Sequence, residues 1–151
     1  MNKEDRVCNY TISLKLKEAG YDDGCEFFWG LDIRHNGEYL GSDEEFELRC
    51  EGRGDEIEYV PGGRLEHLWN YNDDFSDDDG SCSAPDVYDV VEWLRLNRGV
   101  IVDYNFSLES DRFYYTVVMR EKNLVVHSDE DFDEPIDAIN DALTYIANNL
   151  I

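Results

Sequence analysis

Basic residues are scarce in this chain of 151 residues: 13 Lys and Arg stand against 36 Asp and Glu, a formal net charge of −23. Such a surface repels nucleic acid and anionic membranes, so we expect neither as a direct partner. Long apolar runs are missing too, and none approaches the roughly 20 residues that cross a bilayer. Residues 1–6 are charged and no apolar segment follows them, unlike a secretory signal peptide, so we expect a cytoplasmic protein.

Closely spaced cysteines are also absent. Successive cysteines are separated by 17, 25 and 32 residues, at Cys8, Cys25, Cys50 and Cys82. A structural zinc site usually brings its ligands in pairs roughly two to four residues apart. In a reducing cytoplasm these four residues are expected to be free, mostly buried thiols. We therefore predict no structural metal and no cofactor.

Motifs of enzyme chemistry are missing as well. The histidines His35, His67 and His127 are scattered, and no nucleophile elbow, paired-histidine helix or catalytic-cysteine signature surrounds them. No glycine is followed by the Lys-Ser/Thr step of a phosphate loop. The sequence therefore predicts a protein that is not an enzyme. A Cys/His pair such as Cys50 with His67 stays open, because such partners meet in space and not in sequence.

The first half of the chain predicts a helix followed by strands. Residues 11–19 have the apolar spacing of a short helix, with Asn9 or Thr11 as cap and Gly20 as its stop. Strands are expected within residues 26–34, 46–50 and 57–60. The dipeptide Asn36-Gly37 favours a type I′ turn, which would place Ile33 and Tyr39 on paired strands.

The second half predicts a helix, three antiparallel strands and a second helix. The first helix has the stripe Val87, Val90, Val91 and Leu94, with Ser83 as cap, Pro85 in its first turn and Gly99 as its stop. The strands are expected at residues 100–106, 113–119 and 124–126. The first has one apolar face, and the second is apolar on both faces, as a central strand would be. The last helix follows Asp133 as cap, and its apolar residues are Ile136, Ile139, Leu143, Ile146 and Leu150.

These elements predict an α+β fold, an antiparallel sheet covered by helices. We expect one domain over residues 1–151, with halves 1–71 and 84–151. An acidic, solvated loop, 72–83, is expected to join them, because its five aspartates repel one another and its Ser, Asn and Gly favour turns.

Several segments carry a family resemblance: residues 14–21 (LKLKEAGY) followed by Cys25 and 27–29 (FFW), 71–75 (YNDDF) leading to 83–85 (SAP), 91–95 (VEWLR), 99–102 (GVIV), 113–115 (FYY), and Phe132-Asp133 before a helix with Ala138, Ala142 and Leu143. In these segments the chain resembles a family of small acidic proteins of gut anaerobic bacteria and their phages or mobile elements. Residues 36–68 depart from it by being richer in acid and glycine. The resemblance implies a mobile-element origin. It says nothing about catalysis.

The acidity motivates the leading hypothesis, a non-catalytic protein that binds a basic host protein surface as a nucleic-acid mimic or inhibitor. Acids three or four residues apart on a helix lie about 5–6 Å from one another, so a row of them can imitate phosphates. The candidate partner-binding residues are Asp73, Asp74, Asp77, Asp78, Asp79, Asp129, Glu130 and Asp131. In the simplest alternative, the charge serves only to keep the molecules in solution.

Two further alternatives stay open. The first is a phosphate-ligand or nucleotide site, because guanidinium groups suit phosphate oxygens. Its candidate residues are Arg95, Arg98, Arg112, Arg120 and Lys122. The second is a self-associating structural protein without a ligand, such as a homodimer. No EF-hand is predicted at residues 73–80, because aligning Gly80 with the invariant glycine places Phe75 and Asp86 at ligand positions 1 and 12. Loose divalent-cation binding by the aspartates stays open.

Overall fold

In the computed structural model, the residues described are 3–31, 46–50, 59–60, 64–65, 71–74 and 81–151. The chain divides into two compact units, Met1–Asp86 and Val87–Ile151. Both units combine helices with antiparallel strands, so the predicted α+β class is confirmed. The single domain over residues 1–151 stays a prediction. No helix within the described ranges has both the length and the apolar character of a membrane span.

The first unit begins with a 3-10 turn, Lys3–Arg6, and the helix α1, Tyr10–Glu18. Asn9 caps α1, since its Oδ1 accepts a hydrogen bond from the Ile12 amide at 2.9 Å. Gly20 follows the helix with φ +92°, a left-handed conformation that a side chain would disfavour. The predicted helix is therefore confirmed, with Asn9 and not Thr11 as its cap.

Among the described residues of the first unit, five short strands follow α1. They are β1 (Phe27–Leu31), β2 (Phe46–Cys50), β3 (Tyr59–Val60), β4 (Arg64–Leu65) and β5 (Cys82–Ala84). One antiparallel sheet has the order β2-β1-β5, and β3 pairs with β4 separately. The predicted Asn36-Gly37 turn, with Ile33 and Tyr39 on its paired strands, lies outside the described residues.

The segment 72–83 differs from the predicted solvated loop at both ends. A short helix, α2 (Tyr71–Asp74), begins before it, and β5 follows at its end. Ser83 lies in β5, fully buried and paired with Phe28, so its predicted role as a helix cap is wrong. Burial of β5 against α1 outweighs the local capping signal, because a strand position leaves Ser83 unable to cap.

The second unit has the predicted order of helix, three strands and helix. Its elements are α3 (Val87–Arg98), β6 (Val100–Ser107), β7 (Arg112–Met119), β8 (Leu124–His127) and α4 (Pro135–Asn149). The strands are antiparallel in the order β6-β7-β8, which confirms β7 as the central strand. Gly99, at φ +63°, separates α3 from β6 as predicted.

Both helices of the second unit pack on β6, and α4 also packs on β7. The buried side chains of α4 include Ile136, Ile139, Leu143 and Ile146, which confirms four of the five residues of the predicted stripe. The fifth, Leu150, is the C-cap of the helix and is half-buried. Asp133 as cap is wrong: Glu134 occupies the cap position, without a side-chain hydrogen bond, and Pro135 opens the helix. Asp133 instead accepts a hydrogen bond from Arg112.

Candidate functional site

The strand register sorts the second unit into two ends. Ser107 pairs with Arg112 at one end of the β6–β7 ladder, and Val100 pairs with Met119 at the other. The chain after β8 continues beside β7, since the backbones of Phe132 and Phe113 bond to each other at 2.7 Å in both directions. The β6–β7 turn and the β8–α4 connection therefore lie at one end. The α3–β6 junction and the β7–β8 turn lie at the opposite end.

Charge follows this division. The first end, which we call the acidic end, holds Glu109, Asp111, Asp129, Glu130, Asp131, Asp133 and Glu134. The opposite end, the basic end, holds Arg95, Arg98, Arg120 and Lys122, together with the acids Glu92 and Glu121. Among the described residues, the one cation at the acidic end is Arg112, whose Nε donates to Asp133 Oδ1 at 3.0 Å. Four of the five basic residues of this unit thus lie away from its densest group of acids.

The acids of the β8–α4 connection lie where a helix begins. The backbone amides of the first turn of α4 carry partial positive charge, which favours carboxylates beside them. Asp137 and Asp141 continue the acidic end along α4; both are exposed and one turn apart. The local fold therefore tolerates a density of negative charge that would otherwise be costly.

Aromatic side chains lie on the face of the sheet that α3 and α4 pack against, which we call the inner face, close to the acidic end. The aromatic surface consists of Tyr104, Phe106, Phe113, Tyr115 and Phe132. The rings of Phe106 and Phe113 meet edge to face with centroids 5.3 Å apart, and Phe132 stacks on Tyr115 at 6.4 Å. These contacts link β6, β7 and the β8–α4 connection.

The helices cover only part of β6. Val100 and Val102 are buried on the inner face, whereas Tyr104 is 38% and Phe106 45% exposed on the same face. The face predicted to be apolar therefore continues beyond the buried core.

Tyr115 connects the aromatic surface to the acids. Its hydroxyl donates to Asp141 Oδ2 at 2.9 Å, and the residue is 4% exposed. Burial, the hydrogen bond to Asp141 and the negative charge of that carboxylate raise the pKa of Tyr115 well above its ordinary value. The hydroxyl therefore stays protonated and holds Asp141 beside the rings.

Tyr115→Phe is expected to destabilise the protein by about 1–2 kcal/mol at neutral pH, because the bond to a carboxylate is lost. The folded pKa lies above the unfolded value of about 10, so the contribution of Tyr115 is full below that pH and lost as pH rises toward the folded pKa. The difference in unfolding free energy between the wild type and Tyr115→Phe should therefore shrink above pH about 10. Urea unfolding at pH values below and above about 10 measures it. A stability difference that does not change with pH would contradict this role of Tyr115.

Asp141→Asn keeps a hydrogen-bond acceptor but removes its charge, so the pKa of Tyr115 should fall. Phenolate absorbance during a pH titration measures this change.

The acidic residues predicted as partner-binding do not all come together. Asp129, Glu130 and Asp131 lie at the acidic end, whereas Asp73 and Asp74 belong to α2 of the first unit. Asp77, Asp78 and Asp79 lie outside the described residues. Sequence analysis missed the other members of the acidic end, which join it through the strand register. Glu109 and Asp111 lie in the turn between the strands predicted at residues 100–106 and 113–119, and this position was the signal in the sequence that could have identified them.

The five basic residues proposed for a phosphate ligand do not converge. Arg112 lies at the acidic end, and the length of β7, roughly 26 Å, separates it from Arg120. Arg95 donates through Nε to Glu92 Oε2 at 3.1 Å, and this pair lowers the pKa of the Glu92 carboxyl. The guanidinium of Arg98 lies 6.0 Å from the ring centroid of Trp93. A phosphate site at the four residues of the basic end stays a prediction.

The side chains of three of the four cysteines are described, and they are buried and free, as predicted: Cys8, Cys25 and Cys82. Burial, reinforced by the negative charge of Asp86, raises the pKa of the Cys8 thiol well above its ordinary value. A protonated thiol is a poor nucleophile and a poor metal ligand. In the described part of the chain, no three metal-ligating side chains come together.

His127 is the described histidine. It is exposed on the outer face of the sheet, where its Nδ1 lies 3.2 Å from Thr116 Oγ1 on the neighbouring strand. A cross-strand contact of this kind is an ordinary sheet interaction. His35 and His67 lie outside the described residues, and with them the hypothetical pair of Cys50 and His67.

Comparison with protein families, with curated proteins and with solved structures gives no match to this chain. The resemblance to proteins of gut anaerobes and their phages therefore stays a prediction.

Proposed function

We propose that this protein is a non-catalytic binding protein whose acidic end engages a basic protein surface. The observation that carries the proposal is the separation of charge in the second unit. Seven carboxylates lie at one end with Arg112 as their only described counter-charge, while the other four basic residues of the unit lie at the opposite end.

This separation favours binding over solubility as the role of the charge. Charge that only keeps molecules apart serves that purpose wherever it lies on the surface. Charge gathered at one end instead gives a directed field, which steers an oppositely charged partner and fixes its orientation. The Arg112–Asp133 pair neutralises only one of the seven carboxylates, and both its side chains are exposed.

A protein surface that normally binds nucleic acid is the partner class that the acidic end suits best. Such surfaces present lysine and arginine spaced to meet a line of phosphates. Asp137 and Asp141 are one helical turn apart, about 5–6 Å, and they extend the acids of the β8–α4 connection along an exposed helix face. The acidic end thus offers a line of negative charge on a rigid support.

Neutralising the centre of the acidic end, with Asp129→Asn, Glu130→Gln and Asp131→Asn together, is expected to weaken binding of a basic peptide about tenfold at low salt. The reason is that three charges are removed from the field at the contact, each contributing roughly 0.5 kcal/mol. Fluorescence anisotropy of a labelled peptide with mixed lysine and arginine measures the effect. Raising the salt should shrink it, because screening shortens the range of the field.

The matched control removes three exposed acids elsewhere, with Asp5→Asn, Asp23→Asn and Glu121→Gln. The two triple variants have the same net charge, so only the position of the lost acids differs. The control should bind nearly as the wild type does. Equal losses in both variants would overturn the acidic end as the binding site, and wild type that binds no basic peptide in a salt-sensitive way would overturn the proposed function.

A further inference from the structure

Large apolar side chains of the aromatic surface, and of the turn beside it, are exposed to solvent. Tyr104 is 38% and Phe106 45% exposed, and Leu108, in the turn after β6, is 92% exposed. Phe106 is held in place, since its ring meets Phe113 at 5.3 Å on the neighbouring strand. Ordered, exposed aromatic rings on an uncovered sheet face are typical of a surface that a partner covers.

The chemistry of the partner follows from what borders these rings. Asp141 accepts the hydroxyl of Tyr115, which is the cross-strand partner of Tyr104, and Glu109 follows Leu108 in the turn after β6. A ligand that covers the rings therefore lies within reach of carboxylates. Charge complementarity calls for a cation that also has an affinity for aromatic faces.

Arginine meets both requirements better than lysine. Its planar guanidinium stacks on an aromatic ring while its edge donates two parallel hydrogen bonds to a carboxylate. The ammonium group of lysine is a compact, strongly hydrated point charge that gives up less of its hydration on a ring. At this end of the sheet, Arg112 already binds Asp133 through its guanidinium.

We infer that the aromatic surface is a docking site for an arginine-rich segment of a partner protein, and that it selects arginine over lysine at equal charge. This inference rests on the proposed function, which by itself requires only positive charge. The carboxylates of the acidic end attract the segment, and the rings of Tyr104 and Phe106 select the side chain that arrives.

The test compares two labelled peptides that differ only in having arginine or lysine at every basic position. Wild-type protein is expected to bind the arginine peptide about tenfold more tightly, as two or three stacked guanidinium groups would give. Phe106→Ala removes one of the two selecting rings, so it should reduce this preference to about threefold and leave the affinity for the lysine peptide nearly unchanged. Phe106→Leu should behave in the same way, because it keeps apolar area but has no aromatic face.

Val125→Ala is the matched control, since Val125 is 58% exposed on the outer face of β8 and contributes no ring. It should keep the full preference for arginine. Equal affinity of the wild type for both peptides, or an undiminished preference in Phe106→Leu, would overturn the inference while leaving the proposed function intact. Failure of both peptides to bind in a salt-sensitive way would overturn the proposed function and this inference with it.

Discussion

Leu143→Ala is expected to lower the free energy of unfolding of the second unit by about 3–4 kcal/mol. Leu143 is 2% exposed in the middle of α4, the helix that packs on β6 and β7. The substitution removes buried apolar atoms and leaves a cavity, because neighbours on a sheet and a second helix cannot collapse fully into the space. A loss of this size is a large part of the total stability of a small unit.

Hydrogen exchange measured on peptides from α3 and β7 reports this effect for the second unit alone. Exchange through global opening should become about a hundredfold faster or more, since each 1.4 kcal/mol is a factor of about ten. Thr144→Ala is the control, because Thr144 is the next residue and is exposed. It should change stability by no more than about 0.5 kcal/mol. Equal effects of the two substitutions would mean that α4 is not anchored through this face.

The burial of Leu143 is predictable from the sequence, because a helix that packs one face on a sheet has apolar residues at every third or fourth position. The spacing of Ile136, Ile139, Leu143 and Ile146 identifies the stripe, and all four residues are buried. The same periodicity made α1 predictable, and an apolar run on both faces indicated the central strand β7. Local pattern is sufficient where one face of an element meets the core and the other meets solvent.

The candidate site was predictable only in part. The acidic run Asp129, Glu130 and Asp131 is visible in the sequence. Its position at the same end of the sheet as Glu109 and Asp111 depends on the strand register, which the sequence alone does not give. The exposure of Phe106 depends on how far the two helices that pack on β6 reach along that strand, which is a relation in three dimensions. Alternation shows which face a side chain occupies and not whether another element covers it.

The segment 72–83 shows how composition misleads. Its aspartates and glycine are typical of a solvated turn, yet Asn72 and Ser83, at its two ends, bond to each other in both directions. The Ser83 amide donates to Asn72 Oδ1 at 2.9 Å, and the Asn72 amide donates to Ser83 Oγ at 3.1 Å. Reciprocal bonds between residues 11 positions apart leave no periodic trace, so the sequence alone does not indicate them.

Asn72→Ala is expected to destabilise the first unit by about 2–4 kcal/mol. The substitution deletes the acceptor of the Ser83 amide and the Nδ2 donor to the Tyr21 carbonyl, a bond of 3.0 Å. Ser83 is fully buried and Tyr21 is 2% exposed, so both backbone groups are left with little access to water. A buried polar group without its partner costs about 1–3 kcal/mol. Hydrogen exchange of peptides that cover the end of α1 and strand β5 measures the loss.

Two companion substitutions separate the hydrogen bonds from the helix that carries them. Asp73→Ala changes the exposed neighbour in α2 and should cost no more than about 0.5 kcal/mol. Asn72→Asp keeps an acceptor for Ser83 but directs a carboxylate oxygen at the Tyr21 carbonyl, so it should destabilise the unit at neutral pH and recover part of the loss when acid protonates the carboxyl. If Asn72→Ala costs no more than Asp73→Ala, these bonds do not hold α2 against β5, and burial of apolar side chains alone fixes that junction.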